Sequence, residues 1–117
     1  MRLILITLLL CLPVAASAQD WKLRDSDARL DSSQLADALV DQRIIFFDNG
    51  ESRFSADGAY SYTYDQGGTA HGRYTISDDS TVCIAFDNGF SRCDMYVRSG
   101  DKLVLLTEDG LRFPIRP

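Results

Sequence analysis

Tyr60, Tyr62 and Tyr64 stand at alternate positions, and their spacing suggests a task more directly than any other residues in the sequence. Alternation with Ser61 and Thr63 places the three rings on one face of an extended strand, and the following turn sets Tyr74 opposite Tyr60 as a fourth. Such a face can line a barrel or form an aromatic platform for a small molecule, a glycan or a protein partner. Tyrosine suits that use because it joins rigid apolar area to a hydrogen-bonding tip. The same rings also suit a core, since Ile44, Phe46 and Phe54 share their parity. Tyr60, Tyr62, Tyr64 and Tyr74 are therefore the candidate ligand face, with core packing as the competing use.

Other chemistries find less to work with. His71 is the single histidine, so a Ser-His-Asp or Cys-His triad would have to use it. The G-x-S-x-G turn that presents a nucleophilic serine is absent, and His71 stands beside Arg73 on the polar parity of its strand. Neither glycine-rich phosphate loop occurs. Asp25-Ser26-Asp27 begins like a calcium loop, but Arg29 and Leu30 occupy the places of a ligand and of the turn glycine. Of the three cysteines Cys11 falls in the leader described below, and the remaining two with one histidine do not complete a four-ligand zinc site. No catalytic, cofactor-binding or metal-binding residue is assigned, and no cofactor is expected. The leading expectation is a non-enzymatic binding or interaction module. A small acid-dependent hydrolase competes with it, because glycoside-type hydrolysis needs two facing carboxylates and the chain has 17 acidic residues. A structural envelope protein with no ligand is the third class.

The chain begins with Arg2, an apolar run from Leu3 to Leu12, then Pro13 and the small residues Ala15-Ala16-Ser17-Ala18. This is the layout of a secretory signal peptide over residues 1–18, with cleavage leaving Gln19 first. The apolar run is half the roughly twenty residues that a membrane-spanning helix needs, so no transmembrane anchor is expected after cleavage. Cleavage removes Cys11, and export to the periplasm or medium makes the remaining Cys83 and Cys93 a disulfide pair, as an even number of cysteines in an oxidising compartment implies. The formal net charge is −5, and removing the leader takes away only one charged group, Arg2. An acidic chain is a poor partner for nucleic acid or an anionic membrane surface. The partner expected is a protein or a small molecule of unknown identity.

The elements that hold these residues follow from turn chemistry. Residues 19–31 show no sustained period and read as a surface segment with Trp21 tucked in. Asp31-Ser32-Ser33-Gln34 is a capping box, flanked by Leu30 and Leu35, and opens a helix over 32–40. From 43 to 116 the chain alternates short strands with seven turn tripeptides, Asp48-Asn49-Gly50 through Glu108-Asp109-Gly110, spaced as consecutive hairpins are. Seven turns make eight strands. Taking Asp87-Asn88-Gly89 as a three-residue loop pairs Phe86 with Phe90 and brings Cys83 opposite Cys93. Even positions gather the large apolar groups in the first five strands, and odd positions do so in the last. That switch predicts a bulge or sheet transfer near 90–96. Gly72 is expected opposite Tyr62. Residues 19–117 thus read as one all-β domain, an eight-stranded antiparallel meander forming a small barrel or two-layer sandwich, with one short N-terminal helix.

The leader, the capped helix and the segments ADGAYSY, GRYTI, VCIAF, RCDMYV and LVLLTEDGLRFPIR together resemble small exported proteobacterial β-rich proteins of unassigned activity. The resemblance spans most of the chain after the leader. It implies an exported β fold and carries over no functional residue.

Overall fold

The computed structural model describes residues 21–117; the leader expected at 1–18 lies outside the described residues. The described chain runs β1 (Asp27–Arg29), α1 (Ser32–Leu39), β2 (Ile44–Ile45), β3 (Glu51–Phe54), β4 (Ala59–Thr63), β5 (Thr69–Ile76), β6 (Thr81–Phe86), β7 (Ser91–Ser99), β8 (Lys102–Leu106) and β9 (Arg112–Pro114). It is an all-β fold. Strands β2 to β9 follow chain order in one antiparallel sheet that curls into a half-barrel, and β1 pairs with β7. The two edge strands meet where Phe46 bridges Ile115 and the Arg116 N–H donates to the Ile45 carbonyl at 2.8 Å.

Six of the seven hairpins close on three-residue loops, with cross-strand bonds at Phe46–Gly50, Ser55–Ala59, Tyr64–Gly68, Ser77–Thr81, Phe86–Phe90 and Thr107–Leu111. Each loop ends on a residue with positive φ, four of them glycines and the others Asn49 (68°) and Ser80 (72°). These two non-glycine residues shift their loops from the tripeptides read off the sequence. The glycine of Asp48-Asn49-Gly50 lies after the loop, and Ser80 takes the left-handed place expected of Asp79. The pair Gly67-Gly68 had the same effect on the next hairpin, where Gly67 rather than Gly68 ends the loop. As a result Gly72 lies opposite Tyr60, and Tyr62 faces Ala70. Tyr74 is therefore not opposite Tyr60, contrary to the sequence reading. It pairs with Ile84 on β6. The Asp87-Asn88-Gly89 loop matches expectation, and Cys83 pairs with Cys93 in a disulfide with Cα atoms 4.0 Å apart.

A three-residue loop joins positions whose numbers sum to an even value, so even residues stay on the inner face from β2 through β7. The one remaining turn, between β7 and β8, has two residues, Gly100-Asp101, and pairs Met95 with Leu106 and Tyr96 with Leu105. This is where the parity changes. The bulge expected near 90–96 is absent, since β6 and β7 pair without interruption from Ala85–Ser91 to Thr81–Met95. β7 is instead apolar on both faces. Tyr96 joins the inner core with Leu30, Leu35, Leu39, Phe54, Val82, Leu103, Leu105 and others, while Met95 and Val97 form an outer cluster with Val104, Leu106 and Trp21. Apolar residues on both faces are buried, and on the outer face Trp21, from the segment before β1, packs against the cluster.

At the helix, the Asp31 carboxylate accepts the Gln34 N–H (2.8 Å) and the Gln34 side chain accepts the Asp31 N–H (3.0 Å), completing the capping box. Leu35 and Leu39, one turn apart, are fully buried. The Ser32 hydroxyl and N–H both donate to Asp78 in the β5–β6 turn. The Ser80 hydroxyl accepts the Leu30 N–H and donates to the Tyr96 carbonyl. These bonds fasten α1 over the barrel end that carries the β3–β4, β5–β6 and β7–β8 turns. The other end is left to the four remaining hairpin tips.

Candidate functional site

In an up-and-down meander alternate turns fall at the same end, so the tips at 47–49, 65–67, 87–89 and 108–110 gather opposite the helix. A pocket of about 260 Å³ opens there into the half-barrel. Phe46, Tyr60, Tyr62, Tyr64, Phe86 and Phe113 supply its aromatic wall, with Ile84 and Leu105 deeper and Ser52, Arg92, Asp94 and Tyr96 as polar groups. Three of the four sequence-picked tyrosines are therefore together. Tyr74 is not among the lining residues. Its ring packs edge-on against Phe54 at 5.1 Å, and its hydroxyl donates to the Ser55 carbonyl at 2.6 Å.

The three pocket tyrosines are graded by depth. Tyr60 is buried, and its hydroxyl shares a 2.9 Å hydrogen bond with Ser52; burial pushes its pKa up to about 12. Tyr62 is half-buried and stacks edge-on with Tyr64 at 4.9 Å. Burial raises its pKa as well. Its hydroxyl runs so close to Gly50 that a Cβ there would lie 1.9 Å from the oxygen, which explains glycine at that position. Tyr64 is 55% exposed, so this ring stands at the mouth. Along one strand and its next residue the rings thus pass from the core at Tyr60 to the pocket mouth at Tyr64.

In the pocket lining β7 contributes a side-chain pair that sequence reasoning missed. Arg92 grips Asp94 with two bonds of 2.8 Å, from Nε to Oδ2 and from Nη2 to Oδ1. The Asp94 side chain is 6% exposed and that of Arg92 45%. Guanidinium carries five N–H donors, so the groups not held by Asp94 remain for an acceptor in the pocket. The signal that finds the pair is the unbroken even parity from Ile84 and Phe86 across a three-residue loop to Arg92 and Asp94, which the expected bulge had cancelled.

His71 is exposed on β5 opposite Ser61 and lies outside the pocket lining. Asp27, from the calcium-like tripeptide, is bound by Arg112 at 2.7 and 2.9 Å. Among the described residues no group of three or more His, Cys, Asp or Glu is placed to hold a metal ion. Asp48 and Asp94 are the two carboxylates in the pocket lining. Asp94 has both oxygens engaged by Arg92, and Asp48 accepts the Gly50 N–H at 2.9 Å. Comparison of the chain with protein-family models, with curated proteins and with solved structures gave no match.

Proposed function

We propose that the protein is an exported, non-enzymatic binding domain whose tyrosine-lined pocket receives a small molecule or a side chain of a protein partner. The observation that carries this reading is the pocket itself, with an aromatic wall beside a guanidinium whose charge is already balanced by Asp94. Apolar walls with few, fixed polar groups are the usual composition of a ligand site. An acid-dependent hydrolase is less well supported, because the deeper carboxylate is committed to Arg92 and has no free oxygen for proton transfer. Export is supported by the sequence of residues 1–18 and by a disulfide placed in register. No helix among the described residues is long and apolar enough to cross a membrane.

Native mass spectrometry of the full-length gene product, recovered after export, tests the reading. A retained mass beyond the oxidised chain is expected, lost when the pocket is filled by Tyr62→Trp or charged by Phe86→Asp. Where the recovered chain is bare, the apolar dye anilinonaphthalene sulfonate is the substitute ligand, expected to bind in a single site and to compete with nothing but the pocket. A bare chain that also leaves the dye unbound would overturn the proposal.

A further inference from the structure

β7 is nine residues long, and neither neighbour runs its full length. β6 pairs with Ser91 to Met95, and β1 takes over the same edge from Val97 to Ser99. On the opposite edge β8 pairs with Met95 to Ser99. Among the described residues no strand pairs with that edge from Ser91 to Asp94. The chain leaves β8 at Leu106 and turns away, so the β6–β7 and β8–β9 hairpins splay apart. A groove of about 520 Å³ lies between them, lined by Phe90 to Asp94 on one side and Thr107 to Asp109 on the other.

The hydrogen-bond phase of β7 shows which peptide groups look into this groove. The Phe86 N–H donates to the Phe90 carbonyl at 2.8 Å, and the Tyr96 N–H donates to the Ser80 carbonyl at 2.9 Å. Even residues of β7 therefore turn their peptide groups toward β6, and Ser91 and Cys93 turn theirs toward the groove. This is a short length of open sheet edge, the feature that accepts an added strand. The groove also shares Arg92 and Asp94 with the tyrosine pocket, so the two cavities adjoin at those side chains.

The walls define what such a strand would carry. Phe90 is 61% exposed and Leu111 53%, leaving apolar surface uncovered at both splayed tips. Asp87, Glu108 and Asp109 stand around them; Arg92, the one cation among the groove-lining residues, is paired with Asp94, and Arg112 next to Leu111 is paired with Asp27. The opposite end differs, since its turns at 56–58, 78–80 and 100–101 present no large apolar residue. Successive side chains of a strand point to opposite faces, so a guest on this edge would set every second residue toward the pocket and the others toward the outside of the sheet. An anionic lipid surface or nucleic acid would meet acidic tips.

We infer that the groove receives an extended segment of a protein partner, with alternating apolar and basic residues, as an added strand on the Ser91–Asp94 edge of β7. This rests on the binding reading above and names the occupant of that site. The apolar side chains enter the tyrosine pocket, and the basic ones meet the acidic tips.

The test uses the oxidised protein and an end-capped heptapeptide that alternates lysine with valine and phenylalanine, read by amide hydrogen exchange and by titration. In the free protein the Ser91 and Cys93 amides are expected to exchange faster than those of Arg92 and Asp94, and peptide should slow them by about tenfold or more. Replacing the lysines by glutamate should weaken binding by about tenfold or more. Ser91→Pro removes a groove-facing N–H without touching the β6 ladder, and should weaken peptide by about tenfold while leaving dye binding in the pocket unchanged. Phe90→Ser, on the exposed tip, gives a second variant should the proline disturb the strand. Peptide bound without protection at Ser91 and Cys93, or equal affinity for the glutamate peptide, overturns the inference. Concentration-dependent protection of these amides without peptide would make a second copy of the chain the occupant, and also overturns it. Dye binding without peptide binding sinks this inference and leaves the pocket reading standing; loss of both sinks the two together.

Discussion

Asp27 shows how much one side chain can be asked to hold. Its side chain has no exposed surface, and two Arg112 bonds, helped by the Arg24 N–H, fasten the β1 end to β9. The hydrogen bonds from Arg112 chiefly, and that of Arg24, lower its pKa from 3.8 to about 2. A depressed carboxylate pKa stabilises the fold at pH above the unfolded value and loses that contribution as pH falls through the folded one. The contribution is therefore whole above about 4 and fades toward 2, amounting to about 2 kcal/mol. Urea midpoints followed down this range should fall for the native chain, and Asp27→Asn should start lower and flatten that part of the profile. The tyrosines give the opposite case. Burial lifts Tyr60 to about 12 and Tyr96 well above the ordinary 10. Stability tied to their neutral forms is complete below 10 and lost as pH rises toward 12. Absorbance titration should show Tyr60 and Tyr96 ionising last of the five tyrosines, with alkaline unfolding, and Tyr60→Phe should remove one of these late steps.

The hairpins show what local chemistry can and cannot specify. At Asp87-Asn88-Gly89 the loop residues and the cysteine spacing agree, and the pairing is as read from sequence. The bridge closes a ten-residue separation, so reduction or Cys83→Ser with Cys93→Ser should cost about 2 to 3 kcal/mol in denaturant midpoint without loss of the β spectrum. The β4–β5 register slipped by two because Gly67 and Gly68 both adopt positive φ, and tripeptide chemistry does not choose between them. The slip matters at Gly72, which lies between Tyr60 on β4 and Phe86 on β6, whose rings meet edge-on at 5.9 Å. A Cβ at Gly72 would come 2.5 Å from the Ala85 carbonyl oxygen, a backbone atom that cannot swing away. Gly72→Ala should therefore destabilise the protein by about 1 to 3 kcal/mol, measured by chemical denaturation.

Considered whole, the molecule is asymmetric from end to end. One end is closed by α1 and by the Ser32–Asp78 and Leu30–Ser80–Tyr96 hydrogen bonds; the other keeps the pocket and the uncovered tips. Stability and binding should separate along that axis. Phe54 is 1% exposed and touches the rings of Tyr60, Tyr74 and Tyr96, so Phe54→Ala should cost about 3 to 5 kcal/mol. Tyr64→Ala at the mouth should change thermal or urea midpoints by no more than about 0.5 kcal/mol while reducing occupancy of the pocket. Equal losses of stability from the two variants would return the tyrosine face to the core.

Local rules operate within a few residues, and what they control was legible from sequence alone. The Asp31–Gln34 capping box, the helix face of Leu35 and Leu39, the all-β class and the Cys83–Cys93 pairing all depend on neighbours along the chain or across one loop. Other properties needed the closed sheet. Whether Met95 and Val97 faced inward depended on which turn had an even number of residues, and their burial on Trp21, from a distant segment, packing on the outside. The Arg92–Asp94 pair became part of a pocket lining because curling brought β3, β4, β8 and β9 around β7. The groove beside Ser91 exists because β8 turns away before β7 ends. A strand's sequence states which residues share a face, but which face is enclosed and which edge stays open is settled by the other strands, through sheet curl and stagger.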